Sequence, residues 1–567
     1  MFKKNNNLKL IGIWFVLPIL VTIYCLAMGV AGGFEAQVKP HDMWCYYDEI
    51  DFYRNLFYGV GTITIIYSFI VLIKKNIKNL LNKKWILLLS TLLLWSFLCT
   101  ALSEFPAQQF LGTFIVCDGL FTYVVYAAIF ILGLTVSSKI DKKKVIIGYC
   151  LVICLMSVLM LLQETRLDFI VYCFPTIKAM VFFNLNYFGY VLCLSAISLL
   201  GLYLFDNDSK YKLLYLLGFA FELLTLLVNN TFGSYLAVCV AMAFLYFIYY
   251  KKYGKFKKEF IYPLAIWFTF SFVNFVFFNN DILRLLFDIK SIVIKEAYAG
   301  KAGSGRWTLW LDAVERIKAK PVFGWGPEGF IDIGSEVMSR SPHNDILQIA
   351  GYLGIPGVIL YVSAFVLLAI HMFTHLKDLD EIDIVLGGVV VCYLASAELG
   401  HPMFNTTPYF WLFLGMMCSM HCGETTLVDR SEYKGFNKRF IMFLAYALIC
   451  LIIAAFKQNN SNESLIEQSD YLAMHNADLR AQLLLKNSKL EDGKYYYDEK
   501  ELDLVTTDKK VIGYGVGTTK IGGGLEECIK TYKVEYDYDE TKDYNGMIVQ
   551  VTIKDQKVYK VEWIEAN

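Results

Sequence analysis

What most restricts the folding of this chain is the recurrence of long stretches without a single Asp, Glu, Lys or Arg. They run from Leu10 to Phe34, Leu56 to Ile73, Trp85 to Ser103, Gly119 to Ser138, Val145 to Gln163, Met180 to Phe205, Tyr235 to Tyr250, Ile261 to Phe278, Ile346 to Leu376 and Phe440 to Phe456. A hydrocarbon layer offers no water to backbone N–H and C=O groups, so such runs must satisfy those groups internally as helices, and about 20 residues suffice to cross. Three weaker stretches, Leu213 to Val228 with Glu222 inside it, Ile384 to Ala397 and Tyr409 to Met420, bring the expected total to about thirteen spans. With 56% hydrophobic and 16% aromatic residues arranged in this way, the sequence predicts an all-α polytopic membrane protein rather than a soluble globule. The first run is too long for a signal-peptide core and lacks a small-x-small cleavage site, so it reads as an uncleaved span.

Orientation follows from the basic residues of the short connections. The segments "MFKKNNNLK", "KKNIKNLLNKK", "SSKIDKKK", "DNDSKYK", "KKYGKFKKE" and "DRSEYKGFNKR" fall after alternate spans, and five of the six are plainly basic. They mark the cytoplasmic side. The opposite connections, such as "EAQVKPHDMWCYYDEIDFYR" and "SEFPAQQFLGT", are acidic or neutral. The amino terminus is therefore expected inside and, after an odd number of spans, everything beyond about Lys457 outside. The zero formal net charge hides this asymmetry and says little about partners. Most of the fourteen cysteines sit inside apolar runs without metal-ligand spacing and read as small core hydrophobes. Cys45, Cys173 and Cys528 fall on the outer side, where a disulfide can form.

The expected organisation is a transmembrane domain over residues 1–456, with one large outer loop at 279–345, followed by a tail at 457–567. A loop of that length between spans otherwise joined by short turns is usually functional. Its first half, "DILRLLFDIKSIVIKEAYAG", has apolar residues at helical spacing, which fits either a helix on the membrane surface or one packed on the other spans. In the tail, "NNSNESLIEQSDYLAMHNADLRAQLLLKNSKL" reads as helical. Further on, Met547, Val549, Val551 and Ile553 alternate, as do Tyr559, Val561 and Trp563, predicting a β-hairpin with its turn at Asp555 and Gln556. The tail is then a small extracytoplasmic α+β domain large enough for its own core. It carries no catalytic motif, and acceptor docking, partner binding and capping of the outer face all stay open for it.

The outer loop contains "GSGRWTLWLDAVERIKAKPVFGWGPEGF" and continues past "IDIGSEVMSR" into "SPHNDILQIAGYLGIPG". A pair Gly305-Arg306 is followed by Trp310 and Ala313, then Pro321 and the turn Gly324-Trp325-Gly326, then His343-Asn344 and Gly354-Ile355-Pro356-Gly357. In order and spacing ahead of an apolar helix, these elements resemble the signature of the O-antigen ligase and polymerase superfamily of bacterial membrane glycosyltransferases. "FLGTFIVCDGLFTYVVYAAIF" and "NLNYFGYVLCLS" resemble the family more loosely. At "VNNTFGSYLAV" the family's serine-arginine pair is replaced by Gly233-Ser234-Tyr235, so a phosphate contact made there in relatives lacks its arginine.

The resemblance implies transfer of a glycan from a polyisoprenyl (undecaprenyl) diphosphate donor to a hydroxyl on a glycan, lipid or protein acceptor, at the outer face of the cytoplasmic membrane. It implies no cofactor and no nucleic-acid partner. The donor brings its own leaving group, so the protein must supply positive charge at the diphosphate and a base for the acceptor. Arginine suits the first role, because its guanidinium stays charged and binds phosphate oxygens as a fork. Arg306 leads, with Arg340, Arg316 and Arg166 behind it. Histidine suits the second, since its unperturbed pKa of about 6.5 leaves it able to accept a proton. His343 leads and His401, near Glu398, follows. His343 equally fits a helix-start residue satisfied by backbone, with Asn344 or Asp345 capping the helix.

Asp118, Glu222 and Glu398 lie within or at the ends of apolar runs, and buried carboxylates in membranes are functional candidates by default. Glu222 fits a structural partner of a neighbouring helix as well. No paired-carboxylate spacing suggests glycoside hydrolysis and no cluster suggests a divalent metal, so the transfer reads as metal-independent. The competing class is a flippase or transporter for lipid-linked sugars, but no internal repeat is present. Polymerase, envelope glycan ligase and protein glycosylation share this chemistry. The abundance of Lys, Asn, Ile and Tyr points to an AT-rich bacterial genome, which favours capsule or wall polymer over lipopolysaccharide.

Overall fold

A computed structural model of the chain describes residues 6–31, 43–74, 83–103, 106–112, 117–164, 182, 184–206, 210–274, 276, 290–291, 303, 306–329, 341–400, 402–419 and 438–460, with strand segments between 489 and 565. Arg166, Arg340, His401, most of the 279–345 loop and the tail helix expected from residue 459 onward lie outside the described residues. Two compact units are distinguished, one comprising Met1–Glu104, Gln109–Gly329 and Ser341–Leu451, the other Phe105–Gln108, Phe330–Arg340 and Ile452–Asn567.

In chain order the helices are α1 (Asn6–Ala31), α2 (Met43–Lys74), α3 (Lys84–Leu102), α4 (Pro106–Leu111), α5 (Leu120–Leu134), α6 (Lys139–Glu164), α7 (Leu185–Phe205) and α8 (Lys212–Asn229). They continue with α9 (Phe232–Tyr253), α10 (Ile261–Val273), α11 (Arg306–Ala319), α12 (Asp345–Thr374), α13 (Glu381–Ala397), α14 (Thr407–Cys418) and α15 (Lys438–Asn460). Every apolar run of the sequence falls at least in part on a helix, and among the described residues 8 helices are long and apolar enough to cross a membrane. The expectation of about thirteen spans is met to that extent. Several of the others are short: α14 has 12 residues, which at 1.5 Å each rise about 18 Å against a hydrocarbon core of about 30 Å.

In the first unit α7 forms the centre. Its side chains are buried on every face, with α6, α8, α9 and α13 around it. Packing of this kind needs small residues where backbones approach. Gly201 faces Val385 of α13 and Gly189 faces Thr231 and Ser234, while Gly133 of α5 meets Gly415 of α14 backbone to backbone. Glu222 of α8 is fully buried in the same layer, accepting hydrogen bonds from Ser157 Oγ of α6 and Ser195 Oγ of α7, both at 2.8 Å, and from Cys154 Sγ. At one end of the bundle the lysines meet carboxylates. Lys142 and Asp383, both buried, lie 2.7 Å apart, Lys139 pairs with Asp380 and Glu381, and Lys143 pairs with Asp206.

In the second unit Met547–Lys554 and Lys557–Glu565 pair antiparallel, as the alternation of the sequence predicts, while the turn expected at Asp555 and Gln556 lies outside the described residues.

Candidate functional site

The opposite end of the bundle is built on α12, which is not one helix. Gly354 has φ +70° and ψ −179° in its middle, and Pro356 follows. Proline has no N–H to give the carbonyl four residues back, and inside a membrane protein each freed group must find another partner. The turn after α11 supplies several of them. Trp325 N–H donates to the Gly351 carbonyl at 2.8 Å, Gly326 N–H to the Tyr352 carbonyl at 2.9 Å, and Ile355 N–H to the Pro321 carbonyl at 2.8 Å. Trp95 Nε1 of α3 donates to the Leu353 carbonyl at 2.7 Å. Two glycines make the fit possible: a Cβ on Gly324 would stand 2.5 Å from the Tyr352 carbonyl and one on Gly354 2.1 Å from that of Val322. The elements Pro321 to Gly326 and Gly354 to Gly357, separate in the sequence, thus form one joint. Because Trp325 Nε1 also bonds the Arg316 carbonyl at 3.0 Å, the joint fixes α11 on α12.

Arg306 opens α11, half-buried, and among the described residues its guanidinium has no hydrogen-bond or ion-pair partner. Burial lowers its pKa somewhat. His343 stands within electrostatic reach of it. Burial first, and the Arg306 charge second, push the imidazole down to about 4, so it is neutral at ordinary pH. His343 has φ +51°, a left-handed backbone that L side chains seldom adopt. Its N–H donates to Ser341 Oγ at 3.1 Å. The next residue, Asn344, caps α12: its Oδ1 accepts from Leu347 N–H at 2.9 Å, while its Nδ2 donates to Glu398 Oε2 at 2.9 Å and to the Glu398 carbonyl at 3.0 Å. Of the two capping residues that the sequence allows, the structure uses Asn344. Glu398, just past the end of α13, is half-buried, and burial with nearby Asp345 raises its carboxyl to about 7.

Behind His343 lies a buried polar chain. Ser341 Oγ donates to Gln348 Oε1 at 2.7 Å, and Gln348 Nε2 donates to Asp118 Oδ2 at 2.7 Å. Asp118 N–H donates to Glu328 Oε2 at 3.2 Å. Burial, and then Glu328, raise the Asp118 carboxyl well above its ordinary value. On the other side Asp345 accepts from Tyr361 OH at 2.7 Å and borders a cavity of about 550 Å³. That cavity is lined mostly by apolar side chains of α3, α5, α12, α14 and α15, with Asp345, Tyr361, Tyr393 and Thr407 among its polar lining residues.

The structure therefore brings together His343, Arg306, Glu398 and Asp118 from the set that the sequence singled out. It does not bring Glu222 to them, since its carboxylate is engaged inside the bundle. Arg316 points elsewhere, to Asp312 Oδ2 at 2.9 Å. Ser341, Gln348 and Glu328 join the site unannounced, as does Arg54 of α2, which stands within electrostatic reach of Tyr58 and Cys117. Gln348 was findable as the polar side chain one turn inside an apolar run; nothing local marks the others. Gly189 of "NLNYFGYVLCLS" packs on Thr231 and Ser234 of "VNNTFGSYLAV", so one loosely resembling segment touches the segment where the family's serine-arginine pair is replaced. Among the described residues no group of three or more His, Cys, Asp or Glu is placed to hold a metal ion.

A family model described as O-antigen ligase matches residues 217–362. The matched stretch holds Arg306, the turn at Pro321 to Gly326, His343 and the broken part of α12, and it supports the resemblance to the O-antigen ligase superfamily drawn from those residues. No curated protein matches the chain. At this coarse level the chain is similar to membrane glycan ligases of the O-antigen ligase kind, with multiple apolar helices to suit a multi-pass bacterial inner-membrane protein.

Proposed function

We propose that the protein transfers a glycan from a polyisoprenyl diphosphate donor to a hydroxyl acceptor at the outer face of the cytoplasmic membrane, as a polysaccharide polymerase or a cell-envelope glycan ligase. The observation that carries this reading is the pairing of a neutral His343 with an Arg306 guanidinium that has no partner among the described residues, with His343 two residues from Asp345, which lines the apolar cavity. A cavity of about 550 Å³ lined in this way suits part of a polyisoprenyl chain.

In the proposed step the acceptor oxygen attacks the anomeric carbon and gives its proton to the His343 imidazole. The bond from that carbon to the diphosphate oxygen breaks, and the negative charge that gathers on the leaving diphosphate is met by Arg306. In a partly desolvated site such a charge counts for far more than in water. The half-buried guanidinium, held at the start of α11 by the joint with α12, is already in place when the charge appears. No step requires a metal. Arg340 and Arg166 remain proposed diphosphate contacts and His401 a proposed reserve base. The thirteen-span topology, with the amino terminus inside and an α+β tail outside, belongs to the same proposal.

A second assignment of the base has its own observation. A general base works best with a pKa near the working pH, and Glu398 at about 7 is nearer to that than His343 at about 4. Purified His343→Ala and Glu398→Gln, assayed with a lipid-linked donor, separate the two: the variant that loses transfer while still binding donor lacks the base. The overall reading is tested by glycan analysis of cells without the protein. Single repeat units accumulating on the lipid carrier mean polymerase and long unattached polymer means ligase, whereas unchanged envelope glycans reject both.

A further inference from the structure

Among the described residues four that are not glycine have a left-handed backbone, and three of them, Cys117, Glu328 and His343, meet along one hydrogen-bonded chain. Cys117 precedes Asp118, Glu328 accepts from the Asp118 N–H, and His343 donates its own N–H to Ser341. A left-handed φ costs an L side chain roughly 1–2 kcal/mol and persists only where the surroundings hold it. The holding groups are Asp118, Gln348 and Ser341, all buried.

The donors along this chain leave no freedom of direction. The Gln348 amide gives its NH2 to Asp118, so its carbonyl must face Ser341. The Ser341 hydroxyl proton is thereby committed to Gln348, which leaves an oxygen lone pair for the His343 N–H. Rotating the Gln348 amide would turn its carbonyl onto the Asp118 oxygen, acceptor against acceptor, and its NH2 onto the Ser341 hydroxyl, which would lose its own acceptor, a loss that is large when the groups are buried.

We propose that Asp118 is a positioning residue for His343: through Gln348 and Ser341 it locks the left-handed turn that keeps the imidazole beside Arg306. The proposal rests on the reading of His343 as the acting base. Asp118 is faced by Glu328 from the turn after α11, by Asp345 and Gln348 from α12, and by Tyr123 from α5, and His343 by Arg306 from α11. In this company burial and the neighbouring carboxylates raise the carboxyl's pKa, and its second oxygen, Oδ1, is buried without a hydrogen-bond partner among the described residues. An asparagine side chain has the shape of the carboxyl and offers Gln348 the same acceptor. The lock therefore needs an acceptor at position 118.

The test uses the full chain in detergent and two readouts. One is the rate at which diethylpyrocarbonate modifies His343, followed by mass spectrometry, which needs no substrate. The other is kcat and KM with a lipid-linked donor. Asp118→Ala, Gln348→Leu and Ser341→Ala are expected to speed modification of His343 by about tenfold through local opening. They are expected to lower kcat by about 100-fold, since a small displacement of a catalytic group has that cost, with the donor KM changed little. Asp118→Asn should return His343 to slow modification and recover most of the lost kcat. Ser341→Ala deletes a single oxygen and keeps the test decisive if Asp118→Ala fails to fold. Unchanged reactivity of His343 in Ser341→Ala, or failure of Asp118→Asn to differ from Asp118→Ala, overturns the proposal. Should His343→Ala retain transfer while Asp118→Ala still unmasks His343, the lock stands and the assignment of the base falls.

Discussion

At one end of the bundle Lys142 lies 2.7 Å from Asp383 with both side chains buried, and Lys139 and Lys143 have carboxylates of their own. At the other end Arg306 is half-buried with no partner for its guanidinium among the described residues, and the carboxyls around it bond amides, hydroxyls and backbone. Charge is thus spent inside the first end and left available at the second. A buried pair that is already neutralised ties helices together and can do little else. On the proposed reading, a cation held without a carboxylate partner among the described residues is poised for an anion, and the difference separates structure from function between two ends of one set of helices.

Substitutions at the two ends should fail in opposite ways. Arg306→Ala is expected to lower transfer by about 1,000-fold, the upper cost of removing one electrostatic donor at a reacting centre, while the thermal unfolding of the purified protein hardly changes. Lys142→Ala should cost about 3–5 kcal/mol of stability by leaving the Asp383 charge buried and alone, with kcat per folded molecule near that of the parent. If Arg306→Ala unfolds the protein, or Lys142→Ala abolishes transfer in molecules that remain folded, the contrast between the ends is gone. The joint in α12 is expected to affect both measures. In Gly354→Ala the new Cβ would stand 2.1 Å from the Val322 carbonyl at a φ of +70°, so both the melting temperature and the transfer rate should drop; a loss of stability alone would mean that the joint does not set the position of Arg306.

A smaller effect concerns pH. Glu398 is raised to about 7 in the folded protein, against about 4.3 in an unfolded chain. Between those values the folded state binds more protons than the unfolded state, so this group makes stability fall as pH rises from about 4.3 to about 7 and adds no further change above. His343 acts in the opposite sense: held at about 4 against about 6.5 unfolded, it makes stability rise over that interval. Glu398→Gln keeps an acceptor for Asn344 and removes the first slope. Melting curves taken across pH 5 to 7 should then climb more steeply with pH in the variant than in the parent, and a parallel pair of curves would contradict the placing of Glu398.

How far the sequence anticipates all this depends on the distance over which a contact acts. The absence of charge from the apolar runs dictates helices locally, because lipid leaves the backbone no other choice, and the alternation from Met547 to Ile553 dictates a strand in the same way. Arg306 and His343 stand out because both lie in a polar stretch next to a long apolar helix. The contact between Gln348 and Asp118 spans 230 positions, and no periodicity reports on it. The break in α12 was half visible. Gly354 and Pro356 are both poor residues for a helix interior, yet the charge-free run through them reads as one continuous span, and only the docked turn at Pro321 to Gly326 shows how the freed backbone groups are satisfied.

The smallest expected effect isolates the backbone of the site from its chemistry. His343→Ala and His343→Gly both remove the imidazole, so both should lose transfer and neither keeps the side chain's packing. They differ in what they ask of a residue at φ +51°. Alanine still carries a Cβ and is strained there, whereas glycine adopts that conformation freely, although its unfolded chain is more flexible and takes back part of the gain. The glycine variant should be the more stable of the two by about 1 kcal/mol, measured by thermal or denaturant unfolding in the same detergent. Equal stabilities would mean that the turn relaxes once the imidazole is gone, and that the side chain, rather than the chain from Asp118 to Ser341, holds the backbone in its left-handed state.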